Sequence, residues 1–260
     1  MEGALKAGLV TGAGRRIGRA IALGLAREGW SVGIHCNGSE REAREVVGEI
    51  ERRGGAAVVL RADLRDEGQT SRLVDRAVEA LGPLGCLINN ASLFEPDTAE
   101  TATRASWDAH LEVNLRAPFV LSQGFARQLP AAAPPGSACI VNVLDERVLN
   151  LNPHFVSYTV SKSALWTLTR TLALALAPRV RVNGVGPGPT LPSRHQTEEQ
   201  FARQARRTPL QRGATPEEIA SAVLFFVGAQ AVTGQMLAVD GGEHLGWEQP
   251  HAGTPDDDGV

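Results

Sequence analysis

The chain has 260 residues, 43% of them hydrophobic and 21% charged, a globular composition that fits one large α/β domain as well as two small ones. Its formal net charge of −3 gives no electrostatic case for nucleic acid or an anionic membrane as the main partner. The sequence contains no apolar run of about 18 residues and no secretory signal pattern, so we predict a soluble, cytoplasmic protein.

Short β-branched runs alternate along the chain with longer amphipathic stretches. The predicted strands are residues 8–11, 31–35, 56–60, 86–89, 138–144, 180–185 and 235–239. The predicted helices are residues 16–28, 40–53, 67–81, 106–129, 158–177, 198–207 and 216–227. This alternation predicts a doubly wound Rossmann fold, in which a seven-stranded parallel sheet carries helices on both faces.

No internal repeat or change in composition marks a second domain. We therefore predict a single domain over residues 1–249, followed by a disordered acidic tail over residues 250–260. The three cysteines lie in or beside apolar runs, which indicates buried reduced thiols. The six histidines show no metal-ligand spacing, so we predict no metal site.

A glycine-bearing turn, Thr11 to Gly18, follows the first predicted strand and opens a helix. The unpaired N–H groups at a helix N-terminus favour a phosphate, so the turn could hold the pyrophosphate of a dinucleotide. Gly12 would allow the tight turn, and Gly18 would let the helix pack close to the strand. The spacing differs from the plain G-x-G-x-x-G pattern, which leaves open a strand-to-helix turn without a ligand.

The end of the second strand lacks the acid that a site selective for a free adenosine ribose would carry. Arg16, His35 and the hydroxyl of Ser39 could instead donate to a 2′-phosphate, which favours NADPH over NADH. A packed histidine at the strand end is the alternative for His35.

The only tyrosine, Tyr158, stands four residues before Lys162, one of two lysines in the chain. Residues i and i+4 share one face of a helix. An adjacent ammonium stabilises a phenolate, so we expect Lys162 to lower the pKa of Tyr158 and the pair to deliver a proton. A simple surface contact between the two is the alternative reading of this spacing.

Several motifs occur in the order and separations of the short-chain dehydrogenases/reductases, which the chain resembles over about residues 7–246. They are Thr11 to Gly18, Asn89-Asn90-Ala91-Ser92, Asn114, Tyr158-x-x-x-Lys162 and Asn183 to Gly188. The resemblance implies that Tyr158 is the acid, that Lys162 binds the nicotinamide ribose, and that Asn114 holds a water in the proton relay.

Two departures from that family narrow the resemblance. The middle glycine of the turn is Arg16, and the serine usually found 13 residues before the tyrosine is Asp145. An ionised aspartate cannot donate to a carbonyl oxygen and would repel the charge that develops there. Both departures resemble the pteridine reductases and bacterial dihydromonapterin reductases, which reduce a C=N bond. In that branch Phe94 would stack on the pterin ring.

By this resemblance, the catalytic residues are Tyr158, Lys162, Asp145 and Asn114. The predicted substrate contacts are Arg16, Ser92, Phe94, Asp145 and Tyr158. The predicted NADPH contacts are Gly12, Arg15, Arg16, Ile17, Gly18, His35, Ser39, Asp63, Asn90, Ala91, Ser92, Tyr158, Lys162, Pro187 and Gly188. The resemblance also implies a homotetramer paired through the helices over 106–129 and 158–177.

Two other functions stay open beside a pterin reductase. One is a short-chain carbonyl reductase, acting on a ketoacyl thioester or a small ketone, in which Asp145 is neutral or displaced. The other is a nucleotide-sensing binding protein without turnover. Phe94 has its own alternative, as an ordinary loop aromatic that packs on the core.

Overall fold

A computed structural model of the chain describes residues 5–246, and the predicted acidic tail lies outside them. Its seven strands are β1 (Ala7–Val10), β2 (Ser31–Cys36), β3 (Ala57–Arg61), β4 (Leu84–Asn89), β5 (Ala138–Val143), β6 (Val180–Pro187) and β7 (Met236–Val239). All are parallel and follow the order β3-β2-β1-β4-β5-β6-β7. The predicted doubly wound sheet is confirmed.

The described residues form eight α-helices, six of which pack against the sheet. They are α1 (Arg16–Arg27), α2 (Glu40–Arg52), α3 (Glu67–Leu81), α4 (Arg104–Leu111), α5 (Ala117–Gln128), α6 (Val156–Ala175), α7 (Glu198–Arg207) and α8 (Pro216–Gly228). Short 3₁₀ turns occupy Glu146–Val148 and Glu243–Leu245. No described helix is both long and apolar enough to cross a bilayer.

The sheet separates two apolar cores, because consecutive side chains of a strand point to opposite faces. On β5, Cys139 and Val141 pack into the core beneath α1, α2 and α8, whereas Ala138 and Ile140 pack into the core beneath α3, α5 and α6. The central strands are buried and rich in apolar β-branched residues, which is why the sequence pattern located them. The three cysteines are buried free thiols, as predicted.

One long helix was predicted over residues 106–129, and the structure corrects it. The helix begins at Arg104, where Thr103 caps the N-terminus through the amide of Ser106. A π-helical turn, Glu112–Arg116, then separates α4 from α5. Such a turn holds one extra residue, and the side chains after it rotate around the helix axis. Asn114 lies within this turn.

The chain reverses its direction of strand addition between β1 and β4, which are neighbours in the sheet. In open parallel sheets, a crevice forms beyond the carboxyl ends of the strands at this position. The topology therefore places the candidate site at the ends of β1, β4, β5 and β6.

Candidate active site

A cavity of about 750 Å³ lies at this crevice. Nearly all the predicted site residues line its wall, and Asn114 is the exception. The lining set includes Gly12, Arg15, Arg16, Ile17, Gly18, His35, Ser39, Asp63, Asn90, Ala91, Ser92, Phe94, Asp145, Tyr158, Lys162, Pro187 and Gly188. Residues far apart in the sequence thus meet around one space, and the described residues contain no cluster of His, Cys, Asp and Glu arranged to hold a metal ion.

The glycine turn leaves the N-terminus of α1 open toward the cavity. Gly12 has a φ of +63°, and a side chain there would meet the backbone of Ala91. A Cβ on Gly18 would lie 2.2 Å from the carbonyl oxygen of Gly12, so only glycine allows this helix-to-strand approach. The first turn of α1 carries no acid and no side-chain cap, which leaves its N–H groups available to an anion.

Arg16 occupies the position of the turn where the family has glycine, and its φ of +52° is left-handed. That conformation costs a non-glycine residue about 1 kcal/mol or more. The Arg16 guanidinium donates to the carbonyl oxygens of Leu191 at 3.1 Å and Pro192 at 2.8 Å. The side chain therefore joins the phosphate turn to the segment that follows β6.

His35 is 2% exposed and lies beneath the glycine turn. Its Nδ1 accepts from the Gly12 amide at 3.1 Å, and its Nε2 lies 3.1 Å from the carbonyl oxygen of Ala62. Both ring nitrogens are therefore used within the protein. This geometry corrects the expectation that His35 donates to a phosphate and favours the packed strand-end alternative, in which the ring supports the turn.

Burial lowers the pKa of His35 from 6.5 to about 4, which makes stability depend on this side chain in acid. Between these values the unfolded chain binds a proton that the folded chain does not, so stability is lost as the pH falls. This contribution to the unfolding free energy should fall by about 2 kcal/mol between about pH 7 and pH 5. Urea unfolding of the wild type and His35→Asn at both pH values measures it, and equal pH slopes would refute the assignment.

The far end of the cavity, beyond β2 and β3, is polar. Ser39 is half-buried just before α2, and Asn37 and Arg65 join the predicted residues in the lining. Arg65 holds the carboxylate of Asp63 with an Nη2–Oδ2 distance of 2.6 Å, and this contact lowers the pKa of Asp63. Arg15 donates to Glu42 at 2.5 Å. Cations thus neutralise the acids at this end.

Thr11 and Asn90 fix the two strand ends that border the crevice. The Thr11 hydroxyl accepts from the amides of Asn90 and Ala91 at 2.9 Å each. The Asn90 side chain donates back to the Thr11 carbonyl oxygen at 2.8 Å. β1 and β4 are therefore locked together where the cavity begins.

Tyr158 and Asp145 form the central contact of the site. The Tyr158 hydroxyl donates to Oδ2 of Asp145 at 2.6 Å, and Oδ1 of Asp145 accepts from the Arg147 amide at 3.0 Å. Tyr158 is 5% exposed. Burial and the Asp145 carboxylate raise the pKa of Tyr158 well above 10. The expectation that Lys162 lowers the pKa of Tyr158 is therefore corrected, because the ammonium does not outweigh burial and the Asp145 carboxylate.

Lys162 lies one helical turn further along α6 and is 2% exposed. Its ammonium donates to the Val143 carbonyl oxygen at 2.8 Å and lies 5.8 Å from the centre of the Tyr158 ring. Burial lowers the pKa of Lys162 to about 8, although Asp145 opposes that shift. The surface contact considered for this pair is excluded, because both side chains are buried.

Asn114 lies behind the cavity wall. Its Nδ2 donates to the Leu93 carbonyl oxygen and the Ser161 hydroxyl, both at 3.0 Å. Its Oδ1 accepts from the Leu93 amide at 2.8 Å and from the Ser92 hydroxyl at 3.2 Å. The π-helical turn aims this side chain so that it fixes the segment after β4 against α6.

Phe94 stacks on Phe155, a residue that the sequence analysis missed. Their ring centres are 4.2 Å apart with an interplanar angle of 7°, and the Tyr158 ring meets Phe94 edge-on at 4.7 Å. Phe155 has a left-handed φ of +56° as the residue before α6. The Arg147 guanidinium lies over both rings, 5.5 Å from the centre of Phe94 and 4.9 Å from that of Phe155.

A buried polar chain behind these rings was also missed. The Ser157 hydroxyl donates to Asp97, and Nδ1 of His110 lies 2.7 Å from that hydroxyl. Nε2 of His110 accepts from the Glu95 amide at 3.2 Å. Ser157 precedes Tyr158 in α6. This series of hydrogen bonds therefore ties the segment that carries Phe94 to the helix that carries the tyrosine. Polar residues in separate elements gave no local signal of this contact.

Fold and cavity together define a doubly wound α/β protein with a candidate site at the carboxyl ends of its strands. A family model described as Enoyl-(Acyl carrier protein) reductase matches residues 12–244. The chain belongs to the short-chain dehydrogenase/reductase superfamily, which confirms the family inferred from its motifs.

Known proteins resemble the chain over nearly its whole length. FolM Alternative dihydrofolate reductase 1 from Brucella suis, solved in complex with NADP, is 47% identical with a TM-score of 0.90, covering 95% of this chain and 98% of that one. The Brucella canis structure of the same name, complexed with NADP, is 45% identical with a TM-score of 0.88, covering 96% and 99%. A 3-oxoacyl-[acyl-carrier-protein] reductase from Staphylococcus aureus is 31% identical over 92% of this chain and 98% of its own.

Proposed function

We propose that the protein is an NADPH-dependent reductase of a pterin. The observation that carries this proposal is the 2.6 Å contact between the Tyr158 hydroxyl and an Asp145 carboxylate. An acceptor-only group at this position suits proton delivery to a ring nitrogen better than support of a carbonyl oxygen. The similarity to the two Brucella proteins supports the same substrate class.

The residues around the crevice fit NADPH. The uncapped N-terminus of α1 suits a pyrophosphate, and residues 37–39, directly after β2, include no acid that would repel a 2′-phosphate. Ser39, Asn37 and Arg65 offer donors at that end of the cavity. Lys162 and Tyr158 lie at the opposite end, beside Pro187 and Gly188, where the nicotinamide ribose would bind.

The chain's own part in the reaction is to hold and deliver a proton. When bound, the cofactor supplies a hydride to carbon of the C=N bond. Tyr158 keeps its proton at neutral pH because burial and Asp145 raise its pKa, and it gives this proton to the ring nitrogen. The Lys162 ammonium then balances the phenolate, which takes a new proton from water, and Asp145 accepts the hydrogen bond of the restored hydroxyl.

Phe94 and Ser92 shape the space for a flat substrate. The Phe94 ring is already fixed on one side by Phe155 and at its edge by Tyr158. A rigid aromatic in the cavity wall suits stacking with a heteroaromatic ring. We propose that Arg16 reaches both the pyrophosphate and this ring, exchanging its present contacts with Leu191 and Pro192 for the ligands.

A substrate panel tests the proposed function. Oxidation of NADPH is measured with dihydromonapterin, dihydrobiopterin, dihydrofolate, a ketoacyl thioester and small ketones. We expect turnover of at least one pterin, with NADPH preferred over NADH because Ser39 and Arg65 favour the 2′-phosphate. Turnover of ketones alone would overturn the pterin assignment, and cofactor binding without any oxidation would indicate a nucleotide sensor.

The second candidate function is reduction of a ketoacyl thioester. It is favoured by the similarity to the Staphylococcus aureus reductase. Against it stands Asp145, whose carboxylate would face the alkoxide that forms during carbonyl reduction. The same panel separates the two candidates.

We also propose a homotetramer paired through α4, α5 and α6. In support, Leu151 and Val160 are exposed apolar side chains beside a shallow groove along α6. Apolar patches of this kind mark association surfaces. Sedimentation at several protein concentrations measures the assembly.

A further inference from the structure

Two 3₁₀ turns meet at the edge of the aromatic stack and bring four acids together. Glu146–Val148 packs against Glu243–Leu245, and Asp145 and Asp240 immediately flank this contact. The proposed proton delivery uses only Asp145. Glu146, Arg147 and Glu243 line the same cavity and have no part in that step.

The two aspartates have their hydrogen bonds filled by the protein. Asp145 accepts from Tyr158 and from the Arg147 amide. Asp240 accepts from the Gly242 amide at 2.9 Å and from both the amide and the ring Nδ1 of His244, at 2.8 and 2.6 Å. These acids therefore offer little to a ligand at this corner.

Glu146, Arg147 and Glu243 keep hydrogen-bonding atoms that the protein itself does not use. Glu243 Oε1 accepts from Gln204 at 3.1 Å, but its Oε2 is buried without a hydrogen-bond partner. Arg147 Nη1 is likewise buried and unpartnered. The Glu146 side chain is 8% exposed, and its polar contact among the described residues is a long 3.9 Å approach from Arg147 Nε. Buried polar atoms left in this way favour a ligand that completes their hydrogen bonds.

The charge balance at this corner selects the kind of ligand. Burial and the neighbouring acids raise the pKa of Glu146 to about 9 and that of Glu243 to about 7. Arg147 offsets only part of this effect at both glutamates. An incoming carboxylate would add a further negative charge to a buried acidic cluster, which is costly. A hydroxyl both donates and accepts, so it can serve Glu243 Oε2 and Arg147 Nη1 together.

We propose that Glu146, Arg147 and Glu243 form a subsite that binds a neutral, hydroxyl-bearing side chain of the substrate and disfavours an anionic one. This inference rests on the proposed function. It also fits the stack, because the Arg147 guanidinium lies over Phe94 and Phe155 and so places the subsite at the edge of a ring bound there. Phe94 would select the ring, and the subsite would select what the ring carries.

Three substrates distinguish the contribution of the subsite to substrate preference from that of the rest of the site. They are a dihydropterin with a trihydroxypropyl side chain, its 6-methyl analogue and dihydrofolate, which carries carboxylates. For the wild type we expect kcat/KM for the hydroxylated substrate to exceed that for the methyl analogue by at least about tenfold. Arg147→Met and Glu243→Met should each reduce this ratio to about threefold or less, through a higher KM for the hydroxylated substrate alone.

Matched variants distinguish recognition from structural damage. Glu243→Gln keeps an acceptor and should restore most of the preference, whereas Glu79→Met and Arg72→Met, on the exposed face of α3, should leave all three substrates unchanged. Glu243→Met should also raise dihydrofolate turnover relative to the methyl analogue. The subsite is refuted if the wild type treats the hydroxylated and methyl substrates alike, or if the variants lower all three in parallel. Failure to reduce any pterin overturns the proposed function itself.

Discussion

Tyr158→Phe is expected to lower kcat for pterin reduction by a factor of about 10² to 10⁴, the usual contribution of a positioned general acid. The substitution removes the hydroxyl that donates to Asp145 at 2.6 Å and leaves the ring contact with Phe94 in place. KM for the pterin should change little, since the ring packing persists. Steady-state oxidation of NADPH measures both constants.

Cofactor binding is the control for this variant. Quenching or enhancement of NADPH fluorescence should give an affinity for Tyr158→Phe within a few-fold of the wild type, because Lys162 and the glycine turn are intact and only the contact of one hydroxyl is lost. The wild type offers a second observation, since Tyr158 is the only tyrosine. A spectroscopic titration should show phenolate only well above pH 10, in keeping with its raised pKa. A variant that retained full kcat would remove Tyr158 from the mechanism.

Asp145→Ser is expected to lower the reduction of pterins and to raise the reduction of ketones. Pterin turnover should fall by about 10- to 100-fold, because the carboxylate that orients the Tyr158 hydroxyl is lost. The pKa of Tyr158 should also fall, since Asp145 raises it. Serine can donate to a carbonyl oxygen, so reduction of a ketone should become measurable or increase. The ratio of kcat/KM for a pterin and a ketone reports the exchange.

Asp145→Asn is the matched variant for charge. It keeps an acceptor for the Tyr158 hydroxyl and removes the negative charge, so the tyrosine pKa should fall as in the serine variant. If charge matters to pterin reduction, Asp145→Asn should resemble Asp145→Ser in its loss of pterin turnover. Unchanged turnover of pterins in both variants would contradict the role given to Asp145.

The sheet and the main residues that meet at the candidate site were predictable because their signals are local. β5 and β6 are buried along their whole length, and their β-branched residues mark them as strands although Asn142, Arg181 and Asn183 interrupt the apolar pattern. Tyr158 and Lys162 lie on one helix at a fixed spacing, and the glycines of the turn are required by close backbone contacts. Patterns of this kind can be recognised in the sequence without knowledge of the tertiary contacts.

The remainder of the site depends on contacts between distant segments. Phe155 meets Phe94 across about 60 residues, and its left-handed backbone has no signal in a phenylalanine. Glu243 meets the turn at Glu146 across nearly 100 residues. The direction of the Tyr158 pKa was also missed, because the spacing of Lys162 is visible in the sequence and the degree of burial is not.

The π-helical turn at Glu112–Arg116 sets a limit on how this protein can be stabilised by engineering. Deleting one residue there would restore a regular α-helix, which is ordinarily the more favourable form. The same deletion would rotate Asn114 by about 100° and break its contacts with Leu93 and Ser161. Helix regularity and the position of Asn114 therefore oppose each other at this turn, and designs that idealise the helix would release the segment after β4 that forms one wall of the cavity.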